Sequence, residues 1–135
     1  MANAGYKIII VTNQSGIGRG MYPESDMQKI HTWMTLELQK NGVPIAGIYF
    51  CPHAPEANCD CRKPKTELLT RAAKEHNLTL QECWMIGDKA SDIECGRMVN
   101  AKTILIENGL YPYDSKVLPH KKVKDLVEAA AFLQK

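Results

Sequence analysis

Apolar residues in this chain come in short runs that alternate with helical periodicities. Residues Tyr6–Thr12, YKIIIVT, form a β-branched run with apolar side chains at consecutive positions, the pattern of a strand covered on both faces. A polar, glycine-rich loop follows over Asn13–Tyr22, NQSGIGRGMY. Pro23-Glu24-Ser25 then opens a helix in which Met27, Ile30, Trp33, Met34 and Leu38 recur at helical spacing, and Asn41-Gly42 ends it. A second strand is expected over Gly47–Cys51, a helix over Thr66–His76 with Leu68, Leu69 and Ala72 on one face, and a third strand over Cys83–Gly87. A helix over Ser91–Val99, a strand over Thr103–Ile106, a loop over Asn108–His120 and a closing amphipathic helix over Val123–Leu133 complete the pattern.

Strands that alternate with helices imply right-handed crossovers and a parallel sheet with helices on both faces: an α/β fold, a three-layer α/β/α Rossmann-like sheet. Ligands of such sheets bind beyond the carboxyl ends of the strands. Thr12-Asn13, the segment from Cys51 to Lys63, and Gly87-Asp88 all fall at such ends and are expected to converge there. No repeat or linker divides the sequence, so residues 1–135 are read as a single domain.

Composition narrows the function. A net charge of +2 does not argue for nucleic acid or an anionic membrane, and no apolar stretch is long enough to span a bilayer. The N-terminal residues lack the charged and apolar regions of a signal peptide, which predicts a cytoplasmic protein. Five cysteines, an odd number clustered with a histidine, argue against a disulfide framework and for metal binding in a reducing compartment. Cys83 and Cys95 lie outside the cluster in apolar stretches and are read as small buried hydrophobes.

The cluster is Cys51-Pro-His53 followed by Cys59-Asp-Cys61: four ligands within residues 51–61, the number a structural zinc takes. Arg62 and Lys63 follow at once, and a metal-stapled loop would hold this basic pair in one orientation, suited to gripping phosphate. Thr12 and Asn13, followed by glycines, offer a hydroxyl, an amide and backbone N–H groups to phosphate oxygens, or else form a plain polar turn. Asp88 ends an apolar strand, and Asp92 lies in the first turn of the next helix. The pair suits magnesium, which binds one or two carboxylates together with phosphate oxygens; the competing role is helix capping by Asp88 or Ser91, with Asp92 complementing the helix dipole. His31, His76 and His120 have no partner spacing and read as surface or helix residues.

These motifs resemble those of the haloacid dehalogenase (HAD) superfamily of phosphatases, most of all the branch holding the heptose 1,7-bisphosphate and histidinol-phosphate phosphatases. VTNQSGIGRG resembles the second family motif, CPHAPEANCDCRKPK the zinc loop joined to the third, and GDKASD the fourth. The resemblance implies phosphate binding by Thr12, Asn13 and Lys63, a substrate contact at Arg62, magnesium on Asp88, and Lys89 and Asp92 ordering the site. It implies catalytic Mg2+, structural Zn2+ and a small phosphorylated metabolite as substrate. Arg19-Gly20 is more similar to the heptose enzymes.

The family's first motif is an Asp-x-Asp on the first strand, whose first aspartate is the nucleophile and whose second is the general acid and base. The six aspartates here, Asp26, Asp60, Asp88, Asp92, Asp114 and Asp125, contain no such pair. The sequence begins with Met1 and then Ala-Asn-Ala-Gly5, which reads as the last turn of a helix with its glycine cap, so the fold is expected to lack its first, central strand and most of a helix, an N-terminally truncated domain. The chain alone is expected to turn over negligibly. Its flanking strands are expected to pair directly, or to be paired by a second copy in a homodimer. A phosphate- and zinc-binding relic without chemistry, and a zinc-stapled interaction domain, are the rival readings.

Overall fold

The computed structural model describes residues 5–109 and 111–134. The chain divides into two compact units, Met1–Arg62 and Lys63–Lys135. The expected helical turn over residues 1–4 lies outside the described residues.

The first unit is a strand–helix–strand crossover. Strand β1 (Ile8–Asn13) pairs in parallel with β2 (Ile45–Cys51), Val11 opposite Tyr49 and Asn13 opposite Cys51. Between them lie a one-turn helix, α1 (Ser15–Gly18), and the long helix α2 (Glu24–Lys40). Pro23 caps α2, and Glu24 and Asp26 complement the positive end of its dipole. At the other end Gly42, at φ +79°, lets the Gly42 N–H reach Gln39 O (3.1 Å) and the Val43 N–H reach Leu38 O (2.8 Å), so the last carbonyls are satisfied and the chain turns into β2. Met27, Tyr49 and Cys51 are buried.

Every residue of β1 is half-buried, where the sequence pattern implied a strand covered on both faces. The reason is topological: among the described residues the sheet of this unit has two strands, and each is an edge. The glycine-rich stretch, expected as loop, contains α1 because its glycines sit under other groups. A Cβ at Gly16 would lie 2.3 Å from the Tyr22 ring, and one at Gly18 would lie 2.4 Å from the Ala54 nitrogen.

The second unit carries a three-stranded parallel sheet in the order β3 (Trp84–Gly87), β4 (Lys102–Ile106), β5 (Lys121–Val123). The parallel pairing thus falls in two sheets rather than the one expected. Helix α3 (Glu67–His76) buries Leu68, Leu69 and Ala72, the face its periodicity predicts, and stops at Asn77 in the left-handed region. Helix α4 (Ala90–Met98) packs so close to the sheet that a Cβ at Gly96 would lie 2.8 Å from both Met85 Cβ and Thr103 Cγ2. Ile93, Cys95, Ile104 and Leu105 form the centre of the core.

The C-terminal helix differs from expectation at its start. Val123 belongs to β5, and α5 (Leu126–Leu133) begins after Asp125, whose carboxylate accepts the Glu128 N–H at 2.8 Å. Asp125-x-x-Glu128 was the available signal, a capping residue three positions before an acid.

Candidate metal centre and candidate phosphate-binding residues

Strand β2 ends on Cys51, and the chain then folds back through a short 3-10 turn, Pro55–Ala57, to Cys59 and Cys61. The ligand atoms of Cys51, His53, Cys59 and Cys61 all lie within 4.8 Å of one another. Cys51 Sγ is 3.6 Å from His53 Nδ1 and 3.4 Å from Cys59 Sγ; Cys61 Sγ is 3.3 Å from His53 Nδ1, 3.7 Å from Cys59 Sγ and 2.7 Å from Cys51 Sγ. Tetrahedral zinc bonds of about 2.0–2.3 Å put neighbouring ligand atoms roughly 3.5–3.8 Å apart. All these separations except the shortest lie close to that edge length, and all five cysteines are free thiols. The donor set and its spacing therefore fit a closed four-ligand metal site.

The thiols differ electrostatically. Desolvation pushes Cys59 up, but hydrogen bonds from Cys51, the Arg62 amide and Cys61 outweigh it and bring the thiol down to about 6. Cys61 goes the other way, to about 12, through desolvation and then its hydrogen bonds with, and the negative charge on, Cys51 and Cys59. Sulfur charge held at such range is what a divalent cation neutralises.

The metal loop is bound to the segment leaving β1. The Gln14 N–H donates to Cys51 O at 2.7 Å and the Gly18 N–H to Pro52 O at 2.8 Å. Thr12 and Asn13 are the last residues of β1. The Thr12 hydroxyl oxygen accepts from Gln14 Nε2 at 3.2 Å, and Gln14 Oε1 accepts from the Tyr22 hydroxyl at 2.6 Å. Arg62 ends this unit. Its Nη1 is buried and, among the described residues, has no hydrogen-bond partner. A buried guanidinium nitrogen left without an acceptor typically costs about 1–3 kcal/mol, which makes Arg62 a candidate for an anion contact.

In the second unit, Lys63 Nζ donates to Asp92 Oδ1 at 2.6 Å, and both side chains are largely buried. The other oxygen, Asp92 Oδ2, accepts the Lys89 N–H at 3.2 Å. Asp92 thus spans two of the sequence-derived site residues, and the space for it comes from Gly87, where a Cβ would lie 2.2 Å from Oδ2. The capping role weighed for this helix falls to Asp92, which bonds the amide of Lys89, the residue at the N-cap. Asp88 is left outside that arrangement: it is half-buried, and among the described residues its carboxylate has no hydrogen-bond or ion-pair partner. The Lys89 ammonium lies over the Tyr111 ring, 4.6 Å from its centroid. Beneath the ion pair, burial raises the Cys95 thiol to about 11, in keeping with its reading as a buried hydrophobe.

The structure brings together Cys51, His53, Cys59 and Cys61 in the first unit, and Lys63, Asp92 and the Lys89 backbone in the second. Gln14 and Tyr22 were not singled out from the sequence. An amide and a phenol flanking a glycine-rich run, where close approach of side chains is sterically open, were the signal available.

A HAD-hydrolase-like family model matches residues 60–129. Two curated relatives from strains of Helicobacter pylori, both named D-glycero-beta-D-manno-heptose-1,7-bisphosphate 7-phosphatase, are similar in sequence. One is 48% identical over 109 residues, covering 78% of this chain and 63% of the relative. The other is 43% identical over 130 residues, covering 92% of this chain and 72% of the relative. The chain therefore spans a little under two thirds to almost three quarters of these relatives. A crystal structure of D,D-heptose 1,7-bisphosphate phosphatase from B. bronchiseptica, complexed with magnesium and phosphate, superposes with a TM-score of 0.84 at 25% identity, covering 98% of this chain and 76% of that one. By sequence and by fold, the chain belongs to the HAD-like hydrolase family.

Proposed function

We propose that the chain represents a magnesium-dependent phosphatase of phosphorylated sugars, of the kind that acts on D-glycero-D-manno-heptose 1,7-bisphosphate to release the 7-phosphate, and that its own residues bind the ester without turning it over by themselves. The observation that carries this reading is the Asp92 carboxylate, which pins the Lys63 ammonium at 2.6 Å and leaves Asp88, one residue before the helix cap, unpaired among the described residues. A buried lysine held by a carboxylate is a fixed point charge for a phosphate oxygen, and an unpaired carboxylate at a strand end suits a hard cation. Relatives named for this reaction support the choice of substrate.

In this reading Thr12, Asn13 and Arg62 donate to phosphate oxygens, Lys63 neutralises them, Lys89 adds a second positive charge, and Asp88 holds Mg2+ with Asp92 supporting. Bound magnesium would lower the cost of negative charge developing on the transferred group. Cys51, His53, Cys59 and Cys61 hold a structural Zn2+, since four protein ligands leave no open position for water. The sequence contains no Asp-x-Asp. Its residues bind and orient the ester without supplying the family's nucleophile, and turnover by these residues alone is negligible. The same proposal takes the two units as parts of one HAD-like domain, places the protein in the cytoplasm and allows it to self-associate as a homodimer.

The experiment compares heptose 1,7-bisphosphate with histidinol phosphate, measuring binding by calorimetry and phosphate release with magnesium. Preferential binding of the heptose ester, lost in Lys63→Ala and without release, is the expected result. Preference for histidinol phosphate would reassign the substrate, and no binding of either would end the phosphatase reading. Release that Lys63→Ala abolishes would mean that a nucleophile reaches the site from elsewhere, such as a second chain.

A further inference from the structure

The Thr12 hydroxyl has one proton to give and lone pairs to accept with, and the side chains around it decide which face it shows a ligand. We infer that Gln14 and Tyr22 are positioning residues: a two-step hydrogen-bond relay makes Thr12 Oγ1 an acceptor towards the protein, which leaves its proton for an anion. The inference rests on the proposed phosphate-binding role of Thr12.

The direction of the relay follows from its lengths. Tyr22 Oη lies 2.6 Å from Gln14 Oε1, short for an N–H···O bond and ordinary for O–H···O, so the amide oxygen faces the phenol. The amide nitrogen then faces Thr12 Oγ1 at 3.2 Å and has only protons to offer. Among the described residues the remaining Thr12 proton has a single weak alternative, the Asn13 carbonyl at 3.4 Å, a contact at the outer limit of bonding. An incoming phosphate oxygen displaces it readily. A fully ionised phosphate has acceptors and no donors, so a hydroxyl already occupied as acceptor has the required polarity.

Both ends of the relay are anchored. The Gln14 backbone N–H is bonded to Cys51 O at 2.7 Å, at the first candidate metal ligand. The Tyr22 ring lies against Gly16, where any Cβ would collide with it at 2.3 Å. The glycine at position 16 thus leaves room for the phenol to approach the backbone and reach Gln14.

The test measures the dissociation constant for inorganic phosphate on the zinc-loaded protein, with the thermal midpoint recorded for each variant. Thr12→Val is expected to weaken binding by about tenfold or more, because it removes a hydrogen bond to a charged group. Gln14→Met is expected to weaken it by about 3–10-fold and Tyr22→Phe by about 2–5-fold, both with an unchanged midpoint, from the typical net worth of one hydrogen bond. The double variant Gln14→Met/Tyr22→Phe should bind no more weakly than Gln14→Met alone, because the phenol acts only through the amide; a merely structural pair would instead lower the midpoint. Unchanged binding in Gln14→Met beside a loss in Thr12→Val overturns the relay and leaves the phosphate reading standing, and additive losses in the double variant overturn it too. Unchanged binding in Thr12→Val removes both. If Gln14→Met does not fold, Tyr22→Phe, which keeps the ring on Gly16, decides alone: phosphate binding equal to that of the parent overturns the relay.

Discussion

In the second unit Leu68, Ile93, Ile104 and Leu105 are shut off from solvent, and the Asp92 carboxylate sits beside Ile93 on the same helix. In the first unit the buried hydrophobic side chains among the described residues are Met27, Tyr49 and Cys51, and the last of these is a candidate metal ligand. One half of the chain thus places its charged groups on an apolar core. The other places them beside a loop whose four ligand atoms could hold a cation. The second unit holds its geometry by burying apolar side chains, whereas the first buries fewer among the described residues and, in the proposed reading, is closed by an ion.

The largest effect that separates the two is metal removal. Structural zinc contributes about 10–16 kcal/mol in small peptides, well beyond what a unit of this size can forfeit and stay folded. Chelation, or Cys59→Ser, is expected to abolish amide protection over β2 and the metal loop, and over Gln14 and Gly18, whose N–H groups end on carbonyls of that loop. Protection over β3, β4 and α4 should persist. Hydrogen exchange followed by mass spectrometry reads both, and uniform loss or uniform persistence would erase the contrast.

The next effect belongs to the second unit. Asp92→Asn leaves the Lys63 ammonium largely buried without its counter-charge, a change that typically costs about 3–5 kcal/mol. Urea unfolding should show that loss. The pair Lys63→Met/Asp92→Asn should recover much of the stability, since a buried ion pair and a neutral replacement are often nearly equal. Stability unaltered in Asp92→Asn would mean that the carboxylate organises nothing. A smaller loss, about 1 kcal/mol, is expected from Ile104→Val, one methyl group removed from the closed core. It should appear equally with and without metal.

How far the sequence already disclosed this depends on whether an element is determined locally. The candidate metal ligands are legible because Cys-x-His and Cys-x-Cys are local spacings, and α2 is legible from its apolar periodicity and from the Gly42 that its last turn requires. The apolar face of α3 follows from the same periodicity. By contrast β5 is Lys-Lys-Val, with no alternation to mark it. It exists because Ile104–Ile106 of β4 offer an open edge, and Val123 is its one buried residue. Helix α1 is hidden for a similar reason: glycines argue against helix, and only contacts from Tyr22 and the metal loop make their lack of a side chain useful. Lys63 and Asp92 are 29 residues apart, so their separate candidacies were visible but their contact was not.

The smallest predicted effect concerns how the second unit fastens the long segment after β4, without any ion. The Thr103 N–H donates to His120 Nδ1 at 3.0 Å, the Thr103 hydroxyl lies 3.0 Å from the same nitrogen, and the His120 N–H returns to Thr103 Oγ1 at 3.1 Å. An Nδ1 that accepts a backbone N–H carries no proton, so the ring must be neutral, with its hydrogen on Nε2. Desolvation lowers the pKa of His120, and the positive charges of Arg97 and Lys102 lower it further. The folded value therefore lies below the ordinary 6.5, and the neutral form is the one folding favours. The stabilisation is complete above the ordinary value and is lost as pH falls through the folded one. Titration of the ring by NMR is expected to give a midpoint below 6.5, and Thr103→Val, which removes the hydroxyl but keeps the amide, should move that midpoint part of the way back. A ring that titrates at or above its ordinary value would show that the latch does not hold in solution, and that the second unit too leaves part of its surface to be fixed by something outside its apolar core.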